Sequence, residues 1–138
     1  MGRKDKYAFV LDRDEFVRLS LKKILHKYGF QVEEIEFFSE IEDRKKEIDQ
    51  GIVLADVEMD VLEKWIPVLK RWSDHFVLMS PKITDELKVR LKKMGLSRMI
   101  KKPVEPKILK RVIREICPSR EERSSSPKGG DEKGRRSF

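Results

Sequence analysis

The chain reads as an α/β protein: a parallel sheet with helices packed on both faces. Three observations lead there. Five short apolar runs alternate with five helical stretches, four of which have apolar residues recurring every three or four positions, the spacing of a helix stripe. The clearest runs are apolar throughout, as in strands buried on both faces, where a half-solvated strand would alternate with polar residues. The length, 138 residues, suits one domain with one modest core.

Each element follows in order. Tyr7–Leu11 is an apolar run that stops at Asp12, a first strand. Val17, Leu21, Ile24, Leu25 and Tyr28 mark the buried stripe of a first helix, which Gly29 ends. Val32, Ile35 and Phe37 suggest a second, partly exposed strand. Ser39 with Glu42 three residues on has the form of a capping box for a short polar helix. Gly51 precedes the buried run Ile52–Ala55, which stops at Asp56. Residues 57–65 carry no clear pattern. Pro67 fits only a first helical turn, so a third helix is expected to start near Trp65 and to pack Val68, Leu69 and Trp72 inward. Phe76–Met79 is a fourth strand ending at Ser80-Pro81. Leu87, Leu91 and Met94 stripe a fourth helix closed by Gly95, and Met99-Ile100 forms a short fifth strand before Lys101-Lys102-Pro103. The last helix has Pro106 near its start, where proline is tolerated, and buries Ile108, Leu109, Val112, Ile113 and Ile116. The domain is thus expected over residues 1–117. Residues 118–138, rich in Ser, Gly and charge, read as a disordered polar and basic tail.

Composition narrows the class. No stretch approaches the roughly 20 apolar residues that cross a bilayer, and the charged N-terminus has no apolar segment behind it, so a secretory signal is not expected. With Cys117 as the one cysteine, no internal disulfide forms. A cytoplasmic protein with no membrane contact is the expectation. Charged residues make up 41% of the chain, Asn is absent and Gln occurs only at Gln31 and Gln50, a thermophile's pattern. The net charge of +7 is uneven: residues 84–117 carry 11 Lys/Arg against 4 Asp/Glu. That basic segment, with Lys88, Arg90, Lys92, Lys93, Arg98, Lys107, Lys110, Arg111 and Arg114, can attract an acidic partner or nucleic acid. Nucleic acid is the less favoured of these, because no helix-turn-helix, zinc motif or aromatic-basic interleaving accompanies it.

The chemistry lies at the strand ends. In a doubly wound sheet functional groups collect at the carboxyl ends of the strands. Strand one ends at Asp12, strand three at Asp56, strand four at Ser80 and strand five at Lys102. Two carboxylates, a hydroxyl and an ammonium on one edge suit phosphoryl transfer to a carboxylate. Asp56 would be the nucleophile. Lys102 would neutralise one phosphoryl oxygen, Ser80 would hydrogen-bond another, and Asp12 would help hold Mg²⁺, a hard cation that takes oxygen ligands.

These residues carry a specific resemblance. The runs Phe9-Val-Leu-Asp12-Arg-Asp-Glu-Phe-Val-Arg18, Ile52-Val-Leu-Ala-Asp56-Val-Glu-Met59, Val77-Leu-Met-Ser80 and Met94-Gly95-Leu-Ser-Arg-Met-Ile-Lys-Lys102-Pro103 resemble the response-regulator receiver domains of two-component signalling, over about residues 6–117. The resemblance implies the flavodoxin-like fold, a five-stranded parallel sheet of order 2-1-3-4-5, and a cis Lys102–Pro103 peptide. It implies Asp56 as phosphoacceptor, Asp12 as an acidic-pocket residue, Ser80 as switch hydroxyl and Lys102 as phosphate-binding lysine. It further implies Mg²⁺, with Asp12, Asp56 and Glu58 as its protein ligands. The expected donor is a histidine kinase or histidine phosphotransfer protein. Output is expected through the face of helix 4, strand 5 and helix 5, which can also form a homodimer. Such a domain is no enzyme beyond self-directed phosphotransfer and dephosphorylation.

The pattern also departs from the family. Arg13 stands where a second acidic residue is usual, which removes a metal ligand, weakens or abolishes Mg²⁺ binding, and offers a guanidinium able to pair with Asp56. Glu58 can supply a replacement carboxylate. Asp60 takes the place of a proline, Lys64 that of a glycine in the following turn, and Met99 that of the aromatic switch residue. Pro81 can stiffen the moving loop. Two readings follow: a phosphorylated receiver, and a pseudo-receiver that binds partners without phosphorylation.

Overall fold

In the computed structural model, which describes residues 6–117, the chain runs β1 (Lys6–Leu11), α1 (Glu15–Lys27), β2 (Phe30–Glu34), a 3₁₀ turn (Phe38–Ile41), α2 (Lys45–Asp49), β3 (Ile52–Ala55), α3 (Met59–Leu69), a second 3₁₀ stretch (Lys70–His75), β4 (Phe76–Ser80), α4 (Asp85–Lys93), β5 (Met99–Lys101) and α5 (Pro106–Ile116). The tail expected at 118–138 lies outside the described residues. The strands are all parallel, in the order β2-β1-β3-β4-β5. This is the predicted flavodoxin-like arrangement, and the Lys102–Pro103 peptide is cis. No described helix is long and apolar enough to cross a membrane.

Successive strand side chains point to opposite faces, and here both faces are buried. Ala8, Val10, Ile52, Leu54, Val77, Met79 and Ile100 pack on Leu21 and Leu25 of α1 and on Leu109 and Ile113 of α5. Phe9, Leu11, Val53, Ala55, Phe76 and Leu78 pack on Ile48 of α2, Leu62 and Leu69 of α3 and Leu91 of α4. The direction of strand addition reverses between β1 and β3, so the carboxyl ends of these two strands flank a topological switch point. Asp12 and Asp56 stand there.

Three expectations are corrected. The third helix begins at Met59, well before Trp65, and Pro67 lies inside it near its end. Likewise Lys64 is a mid-helix residue and no turn residue. A proline inside a helix costs about 3 kcal/mol. Burial of Leu62, Val68 and Leu69, with Trp65 and Ile66 packed partly against the core, contributes about 1.5–3 kcal/mol per fully buried side chain, which outweighs it. Trp72 is in the core but on the 3₁₀ stretch that follows, and its Nε1–H is buried without a partner among the described residues.

The second strand stops at Glu34, and Phe37 is 63% exposed while Phe38 is buried. The cap in this segment is made by Glu40, not by Ser39 and Glu42. Its carboxylate accepts from the amides of Glu36 (2.7 Å) and Phe37 (2.9 Å). Replacing Glu40 with alanine is expected to lower stability by about 1 kcal/mol, since two exposed amides lose a charged acceptor. Chemical denaturation would measure it.

One ion pair that the sequence did not signal ties β2 to α2. Arg44 donates to both carboxylate oxygens of Glu33 (3.2 and 2.8 Å) and sits over the rings of Tyr7 and Phe9. The Glu33 hydrogen bonds hold its guanidinium pKa above the usual arginine value against the opposing effect of burial.

Candidate functional site

Backbone bonds between neighbouring strands bring the site together. The Asp56 amide donates to the Leu11 carbonyl (2.8 Å), and the Lys102 amide donates to the Ser80 carbonyl (2.9 Å). The first places the residue after β3 beside the residue after β1. The second ties the residue after β5 to the end of β4. The Asp12 main chain is held in turn by Arg18, which donates to its carbonyl (2.6 Å) while its Nε donates to Glu34 (2.7 Å). Nothing in the sequence singled out Arg18, although its position one helical turn past Asp14 on α1 follows from the stripe.

The centre of the site is one ammonium between two carboxylates. Lys102 Nζ donates to Asp12 Oδ2 (2.8 Å) and to Asp56 Oδ2 (2.5 Å). Asp12 is the buried charged residue of the described chain, its side chain only 3% exposed. Its second oxygen, Oδ1, accepts from the Asp14 amide (2.8 Å), so both of its oxygens are occupied. Asp56 differs. Its side chain is 28% exposed, and Oδ1 accepts no hydrogen bond among the described residues. It faces a cleft of about 1030 Å³ whose lining includes Asp12, Arg13, Asp56, Glu58, Lys64 and Trp65. Burial by itself would lower the pKa of the Lys102 ammonium, but the hydrogen bonds and charges of Asp12 and Asp56 outweigh it and hold it above the ordinary lysine value. At neutral pH this lysine is fully charged.

The other expected site residues are placed less uniformly. Ser80 ends β4 as expected, but its hydroxyl donates to the Lys82 carbonyl (3.0 Å) and accepts from the Lys82 amide (3.3 Å). It is engaged in its own loop and makes no bond to the Asp56 group. Met99, at the start of β5, packs partly buried against the core on the α3/α4 side. Arg13 lines the cleft but does not pair with Asp56: Lys102 makes that contact, and the exposed Arg13 guanidinium has no hydrogen-bond or ion-pair partner among the described residues. Glu58 is exposed at the N-cap of α3 with no capping bond. No three acidic, His or Cys side chains come together in a metal-binding group among the described residues, so Glu58 stands apart from the Asp12–Asp56 pair.

This donor set fits a resident Mg²⁺ poorly. The ion demands a near-octahedral oxygen shell. Two carboxylates converge here, each already has an oxygen bonded to the Lys102 ammonium, and the next residue in the cleft is a guanidinium.

Around α4 and α5, Arg90 pairs with Glu63 (2.7 Å) and Arg98 with Glu115 (2.6 Å). Lys88, Lys92 and Lys93 of α4 and Lys107, Lys110 and Arg111 of α5 remain exposed. The basic segment read from the sequence is therefore a surface feature of these two helices.

No family model matches the chain, and no curated protein matches its sequence. Solved structures match its fold. The Vibrio cholerae chemotaxis protein CheY4 superposes with a TM-score of 0.67 at 17% identity, over 82% of this chain and 99% of that one. A two-component response regulator from Clostridium difficile gives 0.65 at 14% identity, over 81% and 95%. A CheY-like receiver domain protein from Methanospirillum hungatei gives 0.59 at 24% identity, over 81% and 93%. With its parallel 2-1-3-4-5 sheet and these neighbours, the chain has the fold of a CheY-like response-regulator receiver domain.

Proposed function

We propose that this domain is a phosphoacceptor: Asp56 takes a phosphoryl group from a phosphohistidine on a partner kinase or phosphotransfer protein. The observation that carries this reading is the asymmetry of the two carboxylates. Lys102 bridges both, but only Asp56 keeps a free oxygen toward the cleft. A carboxylate attacking phosphorus needs an open lone pair and a fixed cation beside it to receive charge from the phosphoryl oxygens. Asp12, with both oxygens bonded and almost no exposure, instead positions Lys102. The signal then passes, on this reading, to the α4–β5–α5 face in the cytoplasm. There the phosphorylated site would draw the Ser80 hydroxyl away from Lys82 and shift the population of the face's conformations. That face also serves for pairing with a second copy.

The test is intact-protein mass after incubation with a small phosphodonor or a phosphorylated histidine kinase. The expected result is one added phosphoryl group in the wild type and none in Asp56→Ala. An equal gain in both would remove Asp56 from the role. One observation favours the rival reading, an interaction module that works without phosphorylation: Lys102 already neutralises the pair and Ser80 is bonded within its own loop. No gain from either donor would leave that reading in place.

A further inference from the structure

We propose that Arg13 is a phosphoryl-binding residue and that, because of it, transfer to Asp56 proceeds without a divalent cation. The inference rests on the phosphoacceptor reading above. It starts from the local charge balance. Asp12 and Asp56 bring two negative charges and Lys102 one positive charge, all in mutual hydrogen-bond contact. Arg13, the residue after Asp12 and a lining residue of the same cleft, brings the second positive charge. The group is neutral with no ion present. A divalent cation would add two positive charges to this balanced set, with only Glu36 and Glu58, the remaining carboxylates of the cleft lining, to offset them.

The second strand of the argument is the availability of Arg13. Five acidic residues line this cleft: Asp12, Glu34, Glu36, Asp56 and Glu58. Lys102 takes Asp12 and Asp56, and Arg18 takes Glu34. Arg13 bonds to none of them or to any other described residue. A guanidinium kept unpaired at the mouth of an anionic nucleophile's cleft is free for an incoming anion. Its planar fork matches two oxygens of a phosphoryl group, while Lys102 reaches a third. Those equatorial oxygens are where transferring phosphoryl groups carry their charge.

With phosphoramidate as donor the step balances. Asp56 Oδ1 bonds to phosphorus as the P–N bond breaks, and the nitrogen leaves with the electron pair and its protons as ammonia. Lys102 and Arg13 hold the three oxygens throughout, and no proton is required from the protein.

The experiment is phosphoramidate labelling of the full chain, followed by intact mass over time, in excess EDTA and in excess Mg²⁺. Wild type, Arg13→Ala, Arg13→Asp and Asp56→Ala are compared. The wild type is expected to label at similar rates in both conditions. Arg13→Ala should slow by about 10²-fold in EDTA, the scale of losing one preorganised charge-stabilising donor. Arg13→Asp, which supplies a third carboxylate, should label only with Mg²⁺. Calorimetric titration with Mg²⁺ adds a readout that needs no transfer: saturable binding is expected for Arg13→Asp and not for the wild type. Wild-type labelling confined to the Mg²⁺ arm, or an unchanged rate for Arg13→Ala in EDTA, would overturn this inference while leaving Asp56 as acceptor. No labelling of the wild type in either arm would overturn both.

Discussion

Replacing Lys102 with methionine is expected to destabilise the domain by about 3 kcal/mol, the scale of breaking a buried ion pair by removing one partner. Methionine keeps an unbranched side chain one atom shorter and removes the ammonium with its charge and its donors. The loss then falls on Asp12, which is almost fully buried and would face Asp56 with no cation between them. The pH dependence gives a second check. Lys102 has a folded pKa raised above its ordinary value, so its protonated form favours the fold. Its contribution is complete below the unfolded lysine value of about 10.4 and is lost as pH rises through the higher folded one. Denaturant midpoints should therefore fall above that pH in the wild type, more steeply than in Lys102→Met. Parallel curves for the two proteins would show that the ammonium does not hold the site together. The same variant should also fail to accept a phosphoryl group on Asp56.

Gly51→Ala is expected to be the more damaging change, at about 4 kcal/mol or more, the range of exceptional single substitutions. A Cβ at this position would lie 1.8 Å from the Tyr7 carbonyl oxygen. That oxygen belongs to β1, so no side chain can rotate out of the way. The backbones of β1 and the start of β3 would have to separate at the centre of the sheet, where β1 and β3 pair from Ala8–Ile52 to Leu11–Ala55. The Gly51 carbonyl also accepts from His75 Nδ1 (2.9 Å) and from the Cys117 thiol (3.5 Å), and a shift would strain both. Thermal unfolding of the variant would show the loss directly. A change below 1 kcal/mol would mean that the strands move apart freely, contrary to close-packed interiors.

Much of this molecule was legible in its residues. Runs such as Phe9-Val10-Leu11 and Val53-Leu54-Ala55 have no polar face, so they had to be strands covered on both sides. Each ends at a residue that a parallel sheet carries to one edge, which is how Asp12, Asp56 and Lys102 came to be expected together. Local rules failed where longer-range packing outweighed them. Proline chemistry argued for a helix start near Trp65, yet the buried stripe of α3 carried the helix six residues further toward the N-terminus. Ser39 and Glu42 had the letters of a capping box, but the chain turned two residues earlier and Glu40 reached the free amides instead.

Sequence alone determined the order and type of the elements, the parallel sheet and the set of groups at its carboxyl edge, because hydrophobic period and strand termination are local properties of the chain. Tertiary structure decided which charge meets which. Lys102, 90 residues from Asp12 and 46 from Asp56, takes both carboxylates, Arg13 beside Asp12 is left unpaired, and Ser80 bonds to its own loop. An ion pair needs a particular distance and direction between side-chain atoms. Those are set only when strands, cis peptide and helices have packed, and no spacing along the chain encodes them.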